Sequence, residues 1–170
     1  MSIAQLLVPE FDQEMASTRK TLERVPNDKL EWKAHPKSNS IVWVARHLAE
    51  IPGWTALTLN SPSLDLNPPG GEPYKPSTAG SRDEILALFD KNVAAARQSL
   101  EAANDATFAE PWSLLSGGQV IFTMPKYNVV RTMILNHTVH HRAHLLVYLR
   151  LNEIPVPGMY GPSGDEDWQQ

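Results

Sequence analysis

The chain has 170 residues, 42% hydrophobic and 20% charged, and its fifteen basic and nineteen acidic side chains leave a net charge of -4. That composition suits a single globular domain over residues 1–170, and its mild acidity argues against sequence-independent binding to nucleic acid. Cysteine is absent, which excludes disulfides, thiolate metal sites, iron–sulfur clusters and cysteine nucleophiles. No run of about 18 apolar residues is present to span a membrane. No basic-then-apolar leader opens the sequence, so the expectation is a soluble, cytoplasmic protein.

Residues 3–24 place Ile3, Leu6, Leu7, Phe11, Met15, Thr18 and Leu22 at spacings of three and four, which predicts an amphipathic helix. Pro9 falls in its first turns, where proline is tolerated or marks a later start. Val25-Pro26 ends the helix, because the residue before proline is pushed out of the helical region. A loop through His35-Pro36 comes next, and Ser38, Asn39 or Ser40 can cap a second helix over about 41–58. In that helix Trp43, His47, Glu50 and Trp54 share a face, and Pro52-Gly53 kinks or divides it.

Residues 61–77 hold Pro62, Pro68, Pro69, Pro73 and Pro76 and read as a long irregular crossover. A third helix over 81–103 opens on the capping-box pair Ser81 and Glu84. Around Gly117-Gly118 the alternation Val120-Ile121-Phe122-Thr123 suggests a short hairpin. A fourth helix runs from about Lys126 to Asn152, and an irregular tail over 155–162 lies on the surface. The expected architecture is all-α. It is a four-helix bundle with a long second crossover and a short extended or hairpin segment before the last helix.

Four of the six histidines lie on the last predicted helix. With His137 at zero and about 100° per residue, His141 falls at about 40°, His144 at about -20° and His140 at about -60°. Val130, Met133, Ile134, Leu145, Tyr148 and Leu151 share the sector, so the cluster is expected on the core-facing stripe. Buried imidazoles need partners at both ring nitrogens, and residues four apart can direct one nitrogen each at a common cation. Spacing alone does not choose between His137 with His141 and His140 with His144. His47, on the face of Trp43 and Trp54, is a third candidate from another helix. Three neutral histidines leave coordination positions open, as catalytic or ligand-binding centres do. The competing reading is a set of structural histidines bonded to carbonyls and to each other. His35, beside Pro36, reads as a surface or turn residue.

Trp43-Val44-Ala45-Arg46-His47-Leu48-Ala49-Glu50 together with Asn136-His137-Thr138-Val139-His140-His141-Arg142-Ala143-His144-Leu145 resembles the DinB/YfiT-like family of metalloenzymes. The ending Tyr148-Leu149-Arg150, Ile154-Pro155-Val156-Pro157-Gly158 and Tyr160-Gly161-Pro162-Ser163 looks like the same group. The resemblance implies a four-helix bundle, often dimeric, with a divalent metal, nickel or zinc, held by three histidines. Carried onto this chain, the ligands are His47, His137 and His141, since His141 precedes Arg142 as in the family's His-Arg-Gly-Gln stretch. Ala143-His144 replaces the usual Gly-Gln, so His144 is an extra imidazole, either beside the ligands or a fourth one. His140 is the weaker candidate. The resemblance also implies a small-molecule substrate and, for some members, a low-molecular-weight thiol as cosubstrate.

Glu50 could orient a ligand imidazole or serve as a base, with a salt bridge to Arg46 as the simpler expectation. Arg142, at about 140° on the same wheel, is expected at solvent or a dimer interface, away from the site. Leu135, Val139, Leu146 and Leu149 form a second apolar row, so the helix is expected to be buried on both sides, either central to the monomer or, as favoured here, packed in a homodimer, with packing under the C-terminal tail as the competing reading. Trp43, Trp54 and Trp112 could wall a pocket or be plain core. The leading expectation is a metal-dependent enzyme, a thiol-dependent transferase or a hydrolase. The alternatives are a non-catalytic metal- or small-ligand-binding dimeric bundle and a metal-free interaction module. Neither nucleic acid nor membrane is expected as a partner.

Overall fold

The computed structural model describes residues 1–166. It is mostly helical, with one small sheet. Helix α1 (Ile3–Leu22) starts at a capping box that the sequence pattern did not suggest, in which Ser2 accepts from the Gln5 amide and the Gln5 side chain accepts from the Ser2 amide. With that start, Pro9 lies inside the helix.

Helix α2 (Ile41–Glu50) is capped by Ser40 and followed by α3 (Gly53–Asn60), so Pro52 divides the predicted second helix in two. Proline has no amide to donate back to Leu48, and the break also takes the Gly53 amide from the Ala49 carbonyl, to which Asn92 donates its Nδ2 instead, at 2.8 Å. A Cβ on Gly53 would come within 3.1 Å of that Asn92 side chain, so a larger residue here would press on this bond.

The proline-rich crossover contains a strand that its composition concealed. β1 (Ser63–Asp65) pairs in parallel with β2 (Pro111–Ser116), which pairs antiparallel with β3 (Gln119–Pro125). Gly117 and Gly118 make the hairpin turn at φ of 62° and 77°. The Asp65 carboxylate accepts both of their amides, at 3.1 and 2.8 Å, and so ties β1 to the turn. Between strand and hairpin lie α4 (Arg82–Ala102), with the predicted Ser81–Glu84 box, and α5 (Asp105–Ala109), a short helix capped by Asn104.

The last rod begins as α6 (Lys126–Val129), passes through a π-helical stretch (Val130–Asn136) and continues as α7 (His137–Leu151) without leaving helical dihedrals at the junctions. Helices α1 and α2 each pack against α4 and α7. Phe11, Met15, Leu48, Phe89, Leu100, Ile134 and Leu145 are among the side chains they bury between them. No helix among the described residues is long and apolar enough to cross a membrane.

Two expectations for the last rod are corrected. Arg142 is neither at solvent nor at an interface. It is 2% exposed, with Nη2 2.6 Å from Glu14 Oε2 and 2.8 Å from the Tyr160 hydroxyl, and Nη1 donating to the Glu14 carbonyl and to Thr18. Tyr160 in turn donates to Glu14, so this buried pair fastens the tail to α1 and α7. Leu135 and Leu149, half of the second apolar row, are buried in the chain's own core, so that part of the row is central to the monomer, one of the two placements expected of it. His140 and His144, expected on the core-facing stripe, are exposed.

Candidate metal centre

His47 sits near the C-terminal end of α2, and His137 and His141 occupy the first two turns of α7. Helix α2 is held in place from its start, because Ile41 and Val42 donate their amides to the Trp32 and Leu30 carbonyls, at 3.0 and 2.9 Å. The π-helical stretch ends where His137 begins. Its wider turns rotate the side chains of α7 relative to their positions on an unbroken α-helix, and such stretches recur at functional sites.

The three rings converge. His137 Nε2 lies 2.9 Å from His141 Nε2 and 3.4 Å from His47 Nε2. One nitrogen from each lies within 4.8 Å of the others. All three residues are partly buried. Two nitrogens at about 2.0–2.1 Å from a shared cation stand about 2.9 Å apart at a right angle and about 3.4 Å apart at a tetrahedral one. The donor set therefore fits a divalent ion.

Hydrogen bonding among the rings fits less well. His137 Nδ1 faces the Met133 carbonyl at 3.3 Å and donates to it, which leaves its Nε2 a bare lone pair. Both neighbouring Nε2 atoms approach that one lone pair. A cation satisfies all three.

Burial, followed by the facing His47 ring, pushes the His137 imidazole below its ordinary range. Burial and the neighbouring imidazoles push His141 down to about 3. Both rings are therefore neutral near pH 7 and offer lone pairs without first losing a proton. An unfolded chain takes up a proton on His141 near pH 6.5, whereas the folded one refuses it until about pH 3. The unfolded state thus binds more protons in that window, and the metal-free protein loses stability as the pH falls from about 6.5 towards 3. Urea midpoints check this. They should be lower at about pH 5 than at about pH 7.5, and His141→Asn should shrink the difference.

Glu50 makes no salt bridge to Arg46. Its Oε1 accepts the Ser77 amide, and its Oε2 is 3.8 Å from His47 Nδ1, on the opposite edge of the ring from the convergence point. Arg46 Nε donates to the Ala79 carbonyl at 2.7 Å. Together the two side chains pin the end of the crossover beside α2. Trp43 stacks on His47 with centroids 4.8 Å apart, and Trp54 lies 5.4 Å from the His47 ring and 5.8 Å from His137. His144 is not part of the inner triad, and its ring pairs with His140 instead. His35 is exposed, as expected.

A cavity of about 180 Å³ adjoins the triad. It is walled by Trp54 and Leu57 of α3, Leu64 of β1, Trp112 and Phe122 of the hairpin, and Met133, and it reaches His137. The lining is almost wholly apolar. One exception is Trp112, whose indole nitrogen is buried with no hydrogen-bond partner. The sequence marked Trp54 and Trp112 as possible pocket walls. The part played by β1 was hidden there, because it depends on a parallel pairing across some fifty residues.

The DinB superfamily model matches residues 10–145, and the chain belongs to that superfamily. Among solved structures, a DinB-like protein from Bacillus cereus ATCC 10987 is similar with a TM-score of 0.68 and 22% identity, over 94% of this chain and 98% of that one. A DinB-like protein from Bacillus subtilis has a TM-score of 0.68 and 14% identity, over 91% and 97%. At these identities the likeness concerns the fold. No curated protein matches the sequence.

Proposed function

We propose that this protein is a cytoplasmic metal-dependent enzyme in which His47, His137 and His141 hold a divalent ion, nickel or zinc, on a four-helix bundle. Helix α1, the α2–α3 pair, α4 and the last rod are its four members. The reading rests above all on one observation, that three Nε2 atoms converge beside an apolar cavity.

The chain's own groups then have distinct tasks. Met133, through its carbonyl, fixes the tautomer of His137, and Glu50 orients His47 from the Nδ1 side. Trp43 and Trp54 pack on the rings and exclude water. The cavity takes the apolar part of a small substrate and presents its reactive carbon beside His137. A divalent ion in the triad supplies Lewis-acid activation of a thiol or of water. Glu50, facing away from the convergence point, is placed as a positioning residue and not as a base. Neither a thiol nor water needs a carboxylate to ionise on a divalent ion, and the family resemblance favours thiol transfer over hydrolysis. We also propose a homodimer, on the family resemblance.

The test is a conjugation assay. Metal-loaded protein is offered an apolar electrophile with glutathione or free cysteine as the low-molecular-weight thiol, and separately a panel of amides and esters. We expect a thiol conjugate that disappears on chelation. Activity towards esters or amides alone moves the reading to a hydrolase. Silence on both sides of the panel with metal retained supports the non-catalytic binding bundle.

A further inference from the structure

Four histidines on one helix form two interleaved pairs, and only one pair belongs to the inner triad. His140 and His144 stand four apart on α7, side by side and exposed, with ring centroids 4.3 Å apart. With His141 they form a second group whose ligand nitrogens all lie within 4.8 Å of one another. His141 is thus common to both groups, and its two nitrogens face different surroundings. Nε2 is 2.9 Å from His137 and turned to the inner centre. Nδ1, on the other side of the ring, is buried and has no hydrogen-bond partner. A buried polar atom without a partner is unusual and calls for one.

We propose that His140, His144 and Nδ1 of His141 form a second, outer site for a divalent transition metal, next to the inner one and sharing a ring with it. Imidazole nitrogens suit nickel, copper and zinc. The exposed position leaves the remaining coordination to water and puts no barrier before an arriving ion. When both sites are filled, His141 bridges them as an imidazolate and its ring proton leaves to solvent. The outer site binds more weakly than the inner, because two of its three ligands are mobile surface side chains that must be ordered.

Nickel(II) titration of the metal-free full-length protein, followed by calorimetry and native mass spectrometry, tests this. The wild type should bind a second equivalent, weaker than the first. The His140→Ala, His144→Ala variant should lose that second equivalent and keep the tight one. His47→Ala should weaken the tight equivalent and spare the other, and His141→Ala should weaken both. A wild type that stops at one equivalent overturns the outer site. So does a second equivalent that survives in the His140→Ala, His144→Ala variant, or one unaffected by His141→Ala. Failure of the inner reading is separately visible as a first equivalent indifferent to His47→Ala.

Discussion

A variant with His137 and His141 both replaced by alanine should bind divalent metal on the order of 10⁴-fold more weakly than the wild type, and after dialysis its elemental analysis should show none. A complete four-ligand zinc site is worth about 10–16 kcal/mol, so two lost ligands remove about half of it. The variant should still fold. Both rings lie at the margin of the core, and in the metal-free state they are half-buried neutral imidazoles. Circular dichroism and a melting curve separate loss of ligands from loss of structure. Equal metal content in the two proteins would remove the proposed centre altogether.

Arg142→Met should destabilise the protein by about 3–5 kcal/mol, since methionine fills most of the space but strands the Glu14 carboxylate in a buried setting. For a chain of this length that is roughly a 10 °C fall in Tm. The double variant Glu14→Gln, Arg142→Met should recover part of the loss, because no uncompensated charge then remains. A Tm within a degree or two of wild type for the single variant would show that the pair contributes little. The pair also fixes the rotation of α7 one residue after His141, so it bears on the histidine triad through geometry and not through contact.

How much of this was legible beforehand differs from residue to residue. The helices, the break at Pro52-Gly53, the Ser81 cap and the hairpin at Gly117-Gly118 announce themselves through local chemistry. Spacing treats His137 with His141 and His140 with His144 alike, and only the family's motif singles out the three rings that the fold brings together. The helical wheel failed on its centre. The buried residues of α7 are Thr138, Arg142, Leu145 and Leu149. With His137 at zero they fall at about 100°, about 140°, about 80° and about 120°. The core stripe is therefore centred at about 110°, with His137 and His141 on its edge and His144 and His140 beyond it. A wheel centred on His137 puts Arg142 away from the core, and only the partner Glu14, 128 residues away, makes its burial tolerable. β1 escaped for a similar reason, as its pairing lies outside any local window.

Two sets of side chains meet at the centre and share almost nothing. The three converging imidazoles come from α2 and α7, while the walls of the adjoining cavity come from α3, the crossover, the hairpin and the π-helical turn. Only His137 belongs to both. Drift in wall residues such as Leu57, Leu64 or Phe122 can thus retune which molecule is admitted without disturbing the spacing of the nitrogens. Such an arrangement lets one scaffold diversify its chemistry by exchanging upholstery while the frame stands.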